Sequence, residues 1–96
     1  MGIQEILNDR REAILQIAGR HGAQNVRVFG SVARGEADDK SDVDFLVDAG
    51  PNCSGWFPGG LIADLEELLG RRVEIATPSA LHWMIRDRIL AEATPL

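Results

Sequence analysis

Apolar positions in the first part of the chain recur at helical spacing. Ile3, Ile6, Leu7, Ile14, Ile17 and Ala18 fall together along residues 3–21, with Gln4, Glu5, Asp9, Arg10, Arg11 and Glu12 mostly on the other side, which predicts one amphipathic helix. Gly19 and Gly22 flank its end, where glycine supplies the left-handed backbone that closes helices. Val26, Arg27, Val28 and Phe29 read as a short strand stopped by Gly30. Ser31 is placed to cap a short helix over Val32, Ala33 and Arg34, which Gly35 ends before the polar stretch 36–41. A second strand is predicted from Asp42 through Val43, Asp44, Phe45, Leu46 and Val47, and a loop rich in Gly, Pro, Asn and Ser follows from Ala49 to Gly60. Leu61, Ile62, Leu65, Leu68 and Leu69 then mark one face of a helix that Gly70 stops. Residues 72–76 alternate as a strand does. Thr77-Pro78 is a cap and first-turn pair for a last helix carrying Leu81, Met84, Ile85, Ile89 and Ala93.

The order α, β, short α, β, α, β, α predicts a layered α/β (α+β) domain, a small mixed sheet flanked by helices. Its 96 residues suit one domain spanning 1–96, without internal repeat or linker. A composition of 45% hydrophobic and 26% charged residues is that of an ordinary globular chain. The formal charge of -5 argues against long nucleic acid as the main partner, because counterion release needs many Lys and Arg contacts. The single cysteine, Cys53, cannot form an internal disulfide, and the N-terminus shows no basic start followed by an apolar signal core. No apolar run approaches the roughly 20 residues that cross a bilayer. A soluble, cytoplasmic protein is expected.

Two features suggest chemistry. Asp42 and Asp44 are two positions apart, so strand geometry sends both carboxylates to one face, about 6 to 7 Å apart along the backbone. Carboxylate oxygens suit hard Mg²⁺, and a pair of such ions about 3.5 to 4 Å apart can clamp both oxygens of a phosphoryl displacement. An acidic pair is also what a solvated sheet face presents. Gly30-Ser31, at a strand end, can offer backbone N–H groups and a hydroxyl to phosphate oxygens. Gly30 and Gly35 have the glycine spacing of a P-loop, but Glu36 and Ala37 stand where that motif demands lysine and a hydroxyl residue, so an ATPase of that class is excluded.

The run Val28-Phe29-Gly30-Ser31-Val32-Ala33-Arg34-Gly35 followed by Ser41-Asp42-Val43-Asp44-Phe45-Leu46-Val47 resembles the signature of minimal nucleotidyltransferases of the DNA polymerase beta superfamily. The likeness extends more weakly through Leu69-Gly70-Arg71-Arg72-Val73-Glu74-Ile75 and the closing helix. It implies a nucleotidyltransferase fold and a reaction in which an acceptor hydroxyl attacks the α-phosphorus of a nucleoside triphosphate, releasing pyrophosphate. By that resemblance Asp42, Asp44 and Glu74 are the catalytic, metal-holding carboxylates, with Mg²⁺ as cofactor and ATP as substrate. Gly30, Ser31, Arg34 and Ser41 are the nucleotide-binding set. Similar proteins carry aspartate where this chain has Glu74, one methylene longer, which bears on proton transfer.

Larger members of the superfamily append a domain for the acceptor, and here only about one helix follows the last predicted strand. The acceptor is therefore expected on another protein. The resemblance implies an antitoxin that transfers AMP to a tyrosine of a partner HEPN-family ribonuclease toxin. Two other readings stay open: an inactive nucleotidyltransferase-like antitoxin that neutralises its partner by binding, and a transferase acting on a small-molecule hydroxyl. A homodimer and a hetero-oligomer are both compatible with the sequence. His21 and His82 lack companions at metal-ligand spacing and read as surface residues. Trp56, Phe57 and Trp83 read as packing residues, and Arg71-Arg72 as a solvated pair at a strand start.

Overall fold

The structure, a computed structural model, describes residues 3–38, 41–53 and 57–96. Its elements run α1 (Ile3–Asp9), α2 (Arg11–Arg20), β1 (Ala23–Phe29), β2 (Val43–Ala49), α3 (Gly59–Leu69), β3 (Val73–Ala76), a 3₁₀ turn at Pro78–Ala80, α4 (Trp83–Glu92) and β4 (Thr94–Pro95). The strands form one sheet in the order β3-β2-β1-β4. β2 and β3 are parallel, and β1 is antiparallel to both of its neighbours. This is the mixed sheet with flanking helices that the alternation of elements predicts.

Alternation along β2 divides core from site. Val43, Phe45 and Val47 join a cluster with Ile3 and Leu7 of α1, Ile14 and Ile17 of α2, and Leu61, Leu65 and Leu69 of α3. Phe45, Leu7, Ile14, Leu61 and Leu65 are essentially inaccessible to solvent, and each such side chain stabilises the fold by about 1.5–3 kcal/mol. The same pleat turns Asp44 to the opposite face. Leu46 is fully buried on that second face, outside the main cluster, and β2 there contacts the 3₁₀ turn.

Several boundaries differ from expectation. The first helix is two, broken at Arg10, because the polar run Asn8-Asp9-Arg10-Arg11-Glu12 separates Leu7 from the next buried residue, Ile14, and gives the backbone no core contact to hold it straight. β1 starts at Ala23, earlier than the apolar run suggests, with a register shift between Gln24 and Arg27 where Asn25 takes a positive φ of 53°. β2 starts at Val43 rather than Asp42. The short helix over Val32–Arg34 is a series of turns instead. Gly30 and Gly35 both take φ of +73°, which closes the segment before a helical ladder can propagate.

The last helix begins at Trp83, after the 3₁₀ turn, and its cap is His82, whose ring accepts from the Met84 amide at 3.2 Å. Ile89 is its only buried residue among those described, while Trp83 is 75% and Met84 69% exposed. Trp83 is therefore not a packing residue. Its position lies off the stripe that carries Ile89, so the helix turns it to solvent. Phe57 does pack against the core, and Trp56 lies outside the described residues. β4, two exposed residues that the sequence pattern does not predict as a strand, pairs with Arg27 and Val28 of β1. Among the described residues no helix is long and apolar enough to cross a membrane.

Candidate active site

Three neighbouring strands bring the site together. Phe29 of β1 pairs with Asp44 of β2, which pairs in turn with Glu74 of β3. Adjacent strands are about 4.8 Å apart, so the Asp44 and Glu74 carboxylates stand side by side on the face opposite the main core. Asp42 is half-buried one residue before the strand. Burial pushes the Asp44 carboxyl up from its ordinary value near 3.8 to about 6, helped by hydrogen bonding to Glu74 and by the negative charges of Glu74 and Asp42; Arg34 opposes the shift. A half-buried carboxylate facing two others is a place where positive charge is lacking.

The end of β1 sets the second half of the site. Gly30 takes left-handed backbone geometry, and a Cβ there would run into the Asp44 carboxylate. Glycine is thus required twice over, by conformation and by close approach. The segment then curls: the Arg34 amide donates to the Gly30 carbonyl at 3.1 Å, Gly35 to Val32 at 3.1 Å and Glu36 to Ser31 at 2.8 Å. The amides of Ser31, Val32 and Ala33 donate to no backbone group among the described residues. The curl leaves three successive donors open beside Asp44, as at a helix N-terminus, which is the arrangement that receives phosphate oxygens.

Arg34 leaves this curl with two of its donors occupied. Its Nε donates to Glu36 at 3.0 Å and its Nη1 to Glu92 of α4 at 2.6 Å. Ser41, expected in the nucleotide-binding set, makes local bonds in this structure. Its hydroxyl accepts from the Asp38 amide at 2.9 Å and donates to the Asp38 carboxylate at 3.1 Å, turning the loop that delivers Asp42.

Arg71 is a residue whose role sequence reasoning missed. Rather than lying solvated, its Nη1 donates to the carbonyls of Asp38 at 3.0 Å and Ser41 at 3.3 Å, and so ties the same loop to the start of β3. The signal available was only an arginine before a strand. Its partners are backbone carbonyls 30 and 33 residues away, which no local pattern encodes. His21, read as a surface residue, is half-buried and bonded to Asp64 at 2.7 Å, joining α2 to α3 away from this site.

A divalent cation fits the donors present, although the protein supplies no closed cage. Among the described residues no three His, Cys, Asp or Glu side chains are gathered as a ready-made metal site. Mg²⁺ usually takes one or two carboxylates and completes its shell with substrate phosphates and water. Paired Asp44 and Glu74, flanked by Asp42 and lying beside the open amides, meet that description.

Comparison with known proteins identifies the family to which this fold belongs. The profile of the family described as "Nucleotidyltransferase domain" matches residues 10–96. A provisionally named protein adenylyltransferase of Methanocaldococcus jannaschii is 38% identical over 91% of this chain and 94% of its own. The protein adenylyltransferase MntA of Thermococcus cleftensis is 38% identical over 94% of this chain and 88% of its own. A solved structure, provisionally described as a minimal nucleotidyltransferase, superposes with a TM-score of 0.84 at 48% identity, covering 96% of this chain and 94% of that one. The toxin-antitoxin structure of MntA and HpeT superposes with a TM-score of 0.71 over 90% of this chain and 70% of that one; at 18% identity the likeness is one of fold. The chain belongs to the nucleotidyltransferase domain family, among its minimal members, and is an enzyme of that class.

Proposed function

We propose that this protein transfers AMP from ATP to a hydroxyl, that of a tyrosine, on a partner HEPN-family toxin, and thereby acts as its antitoxin. The observation that carries the reading is the Asp44–Glu74 pair standing abreast of the Gly30 turn with its open amides. The adenylyltransferase names of the two archaeal relatives support AMP as the group moved. The fold shared with the MntA-HpeT pair supports a toxin as the acceptor.

In this reading the Ser31, Val32 and Ala33 amides and Arg34 bind the β- and γ-phosphates, leaving the α-phosphorus beside the carboxylates. Mg²⁺ held by Asp42, Asp44 and Glu74 would neutralise the phosphates and polarise the reacting oxygens. The acceptor oxygen bonds to the α-phosphorus, the bond to the bridging oxygen breaks, and pyrophosphate departs with that electron pair. The acceptor's proton passes to the Glu74 carboxylate, which is the exposed member of the pair. The test is the intact mass of the neighbouring gene's product after incubation with this protein and MgATP. A gain of one or more AMP units, lost with Asp42→Asn/Asp44→Asn, supports the reading. A stable silenced complex without mass gain overturns it in favour of inhibition by contact, the second reading, which draws its support from the exposed Trp83, Met84, Ile85 and Leu90 of α4.

A further inference from the structure

Helix α4 takes no part in the signature motifs, yet its last turn reaches the phosphate turn. An open cleft of about 530 Å³ is lined by Arg34, Arg88 and Glu92. Arg88 and Glu92 are four residues apart on α4 and so share one face of it. The Glu92 side chain, only 15% exposed, bonds Arg34 rather than its own helix neighbour. With Nε on Glu36 and Nη1 on Glu92, the Nη2 edge of Arg34 has no partner among the described residues. The Arg88 guanidinium likewise makes no ion pair or hydrogen bond among them. Two guanidinium groups with open donors thus line one cleft, and Arg34 follows directly in sequence on the open amides of residues 31–33, in a protein whose formal charge is -5.

We propose that α4 completes the phosphate site: Arg88 binds the β- and γ-phosphates of the nucleoside triphosphate from the wall facing Arg34, and Glu92 is a positioning residue that holds Arg34 in the cleft. Guanidinium suits this because its planar array of donors matches phosphate oxygens. Glu36 and Glu92 hold the Nε and Nη1 donors of Arg34 and leave Nη2, between them, as its open donor. Without them the long side chain would spread over many rotamers, and ordering it would oppose nucleotide binding. The proposal rests on the transferase reading above and adds to it the residues that grip the phosphate tail.

The experiment is equilibrium binding of MgATP, with inorganic tripolyphosphate as competitor, to wild type and to Arg88→Ala, Arg88→Lys and Glu92→Gln. These are followed by transfer kinetics and thermal melts. Arg88→Ala is expected to weaken MgATP and tripolyphosphate alike by about tenfold, the loss of one charge-assisted contact, with KM raised and the melting temperature unmoved. Arg88→Lys recovers part of the affinity. Glu92→Gln weakens MgATP by about threefold or more and raises KM. Wild-type affinity in both Arg88→Ala and Glu92→Gln overturns the role of α4 and leaves the transferase reading standing. Failure of wild type itself to bind MgATP overturns that reading, and the phosphate site with it.

Discussion

The backbone of Gly30 packs directly on the Asp44 carboxylate, so the turn proposed to receive phosphate and the strand proposed to hold a metal ion are in contact through a position without a side chain. Gly30→Ala therefore meets two penalties. The left-handed backbone costs about 1–2 kcal/mol for an alanine, and the new methyl displaces Asp44. Urea denaturation is expected to show a loss of roughly 1–3 kcal/mol, with a larger fractional fall in AMP transfer than the folded population explains. Wild-type transfer by Gly30→Ala would contradict the contact.

The Asp44 carboxyl holds its proton up to about pH 6 in the folded protein against an ordinary value near 3.8, so between those values the folded state binds the extra proton. Stability from this group is then fully present below the ordinary value and is lost as pH rises through the folded one. Asp44→Asn removes that dependence. In the absence of divalent cations the variant should melt progressively higher than wild type as pH rises from 4 to 8. The gap is about 1 kcal/mol after allowing for solvent screening of a half-exposed group, or about 4–8 °C. Added Mg²⁺ should narrow the gap by stabilising wild type alone. A melting difference that does not change with pH would show that Asp44 titrates as an ordinary carboxylate.

Arg71 fixes the loop before Asp42 through one nitrogen shared between two carbonyls. Arg71→Ala is expected to cost about 1–2 kcal/mol of stability. It also releases the Asp38 and Ser41 carbonyls, so amide exchange at Ser41 should quicken while exchange in α2 and α3 is unchanged. The transfer rate falls because Asp42 loses its fixed approach, and Arg71→Lys restores part of it with a single charged donor. Unchanged exchange at Ser41 in Arg71→Ala would remove Arg71 from the positioning of the site.

The sequence pattern revealed those parts of the fold that are local or periodic. The leucines at 61, 65 and 69 and the left-handed Gly70 define α3 in both views, because a helical stripe and its stop signal are close in sequence. Asp42, Asp44 and the Gly30 turn could be proposed as a site because strand alternation and glycine conformation are read from neighbours. The Glu74 assignment drew on resemblance, and only the parallel β2/β3 register puts it beside Asp44. Arg71, Arg88 and Glu92 depend on chain segments meeting across 30 to 58 residues, and that is decided by packing. The break at Arg10 and the exposure of Trp83 were hidden for a related reason: periodicity shows which face is apolar, and tertiary contact decides whether that face is covered.

Glu74 separates a catalytic carboxylate from a solvated strand residue by opposite effects on stability and rate. It sits next to Asp44, and its charge and hydrogen bonding help hold the Asp44 carboxyl near 6, so in the metal-free protein the pair opposes folding at neutral pH. Glu74→Ala relieves that opposition. The variant should melt higher than wild type at pH 8 without divalent cations, and the pH dependence attributed to Asp44 should shrink. The same change removes the group assigned to receive the acceptor's proton, which is expected to lower transfer by about 100-fold or more. Glu74→Asp shortens the reach by one methylene but keeps the charge, so the pH dependence stays while the rate changes with carboxylate position. Thermal melts across pH and initial transfer rates on the three proteins make the test. A Glu74→Ala protein that transfers AMP at the wild-type rate would leave Asp42 and Asp44 as the whole carboxylate machinery and return Glu74 to an exposed strand position.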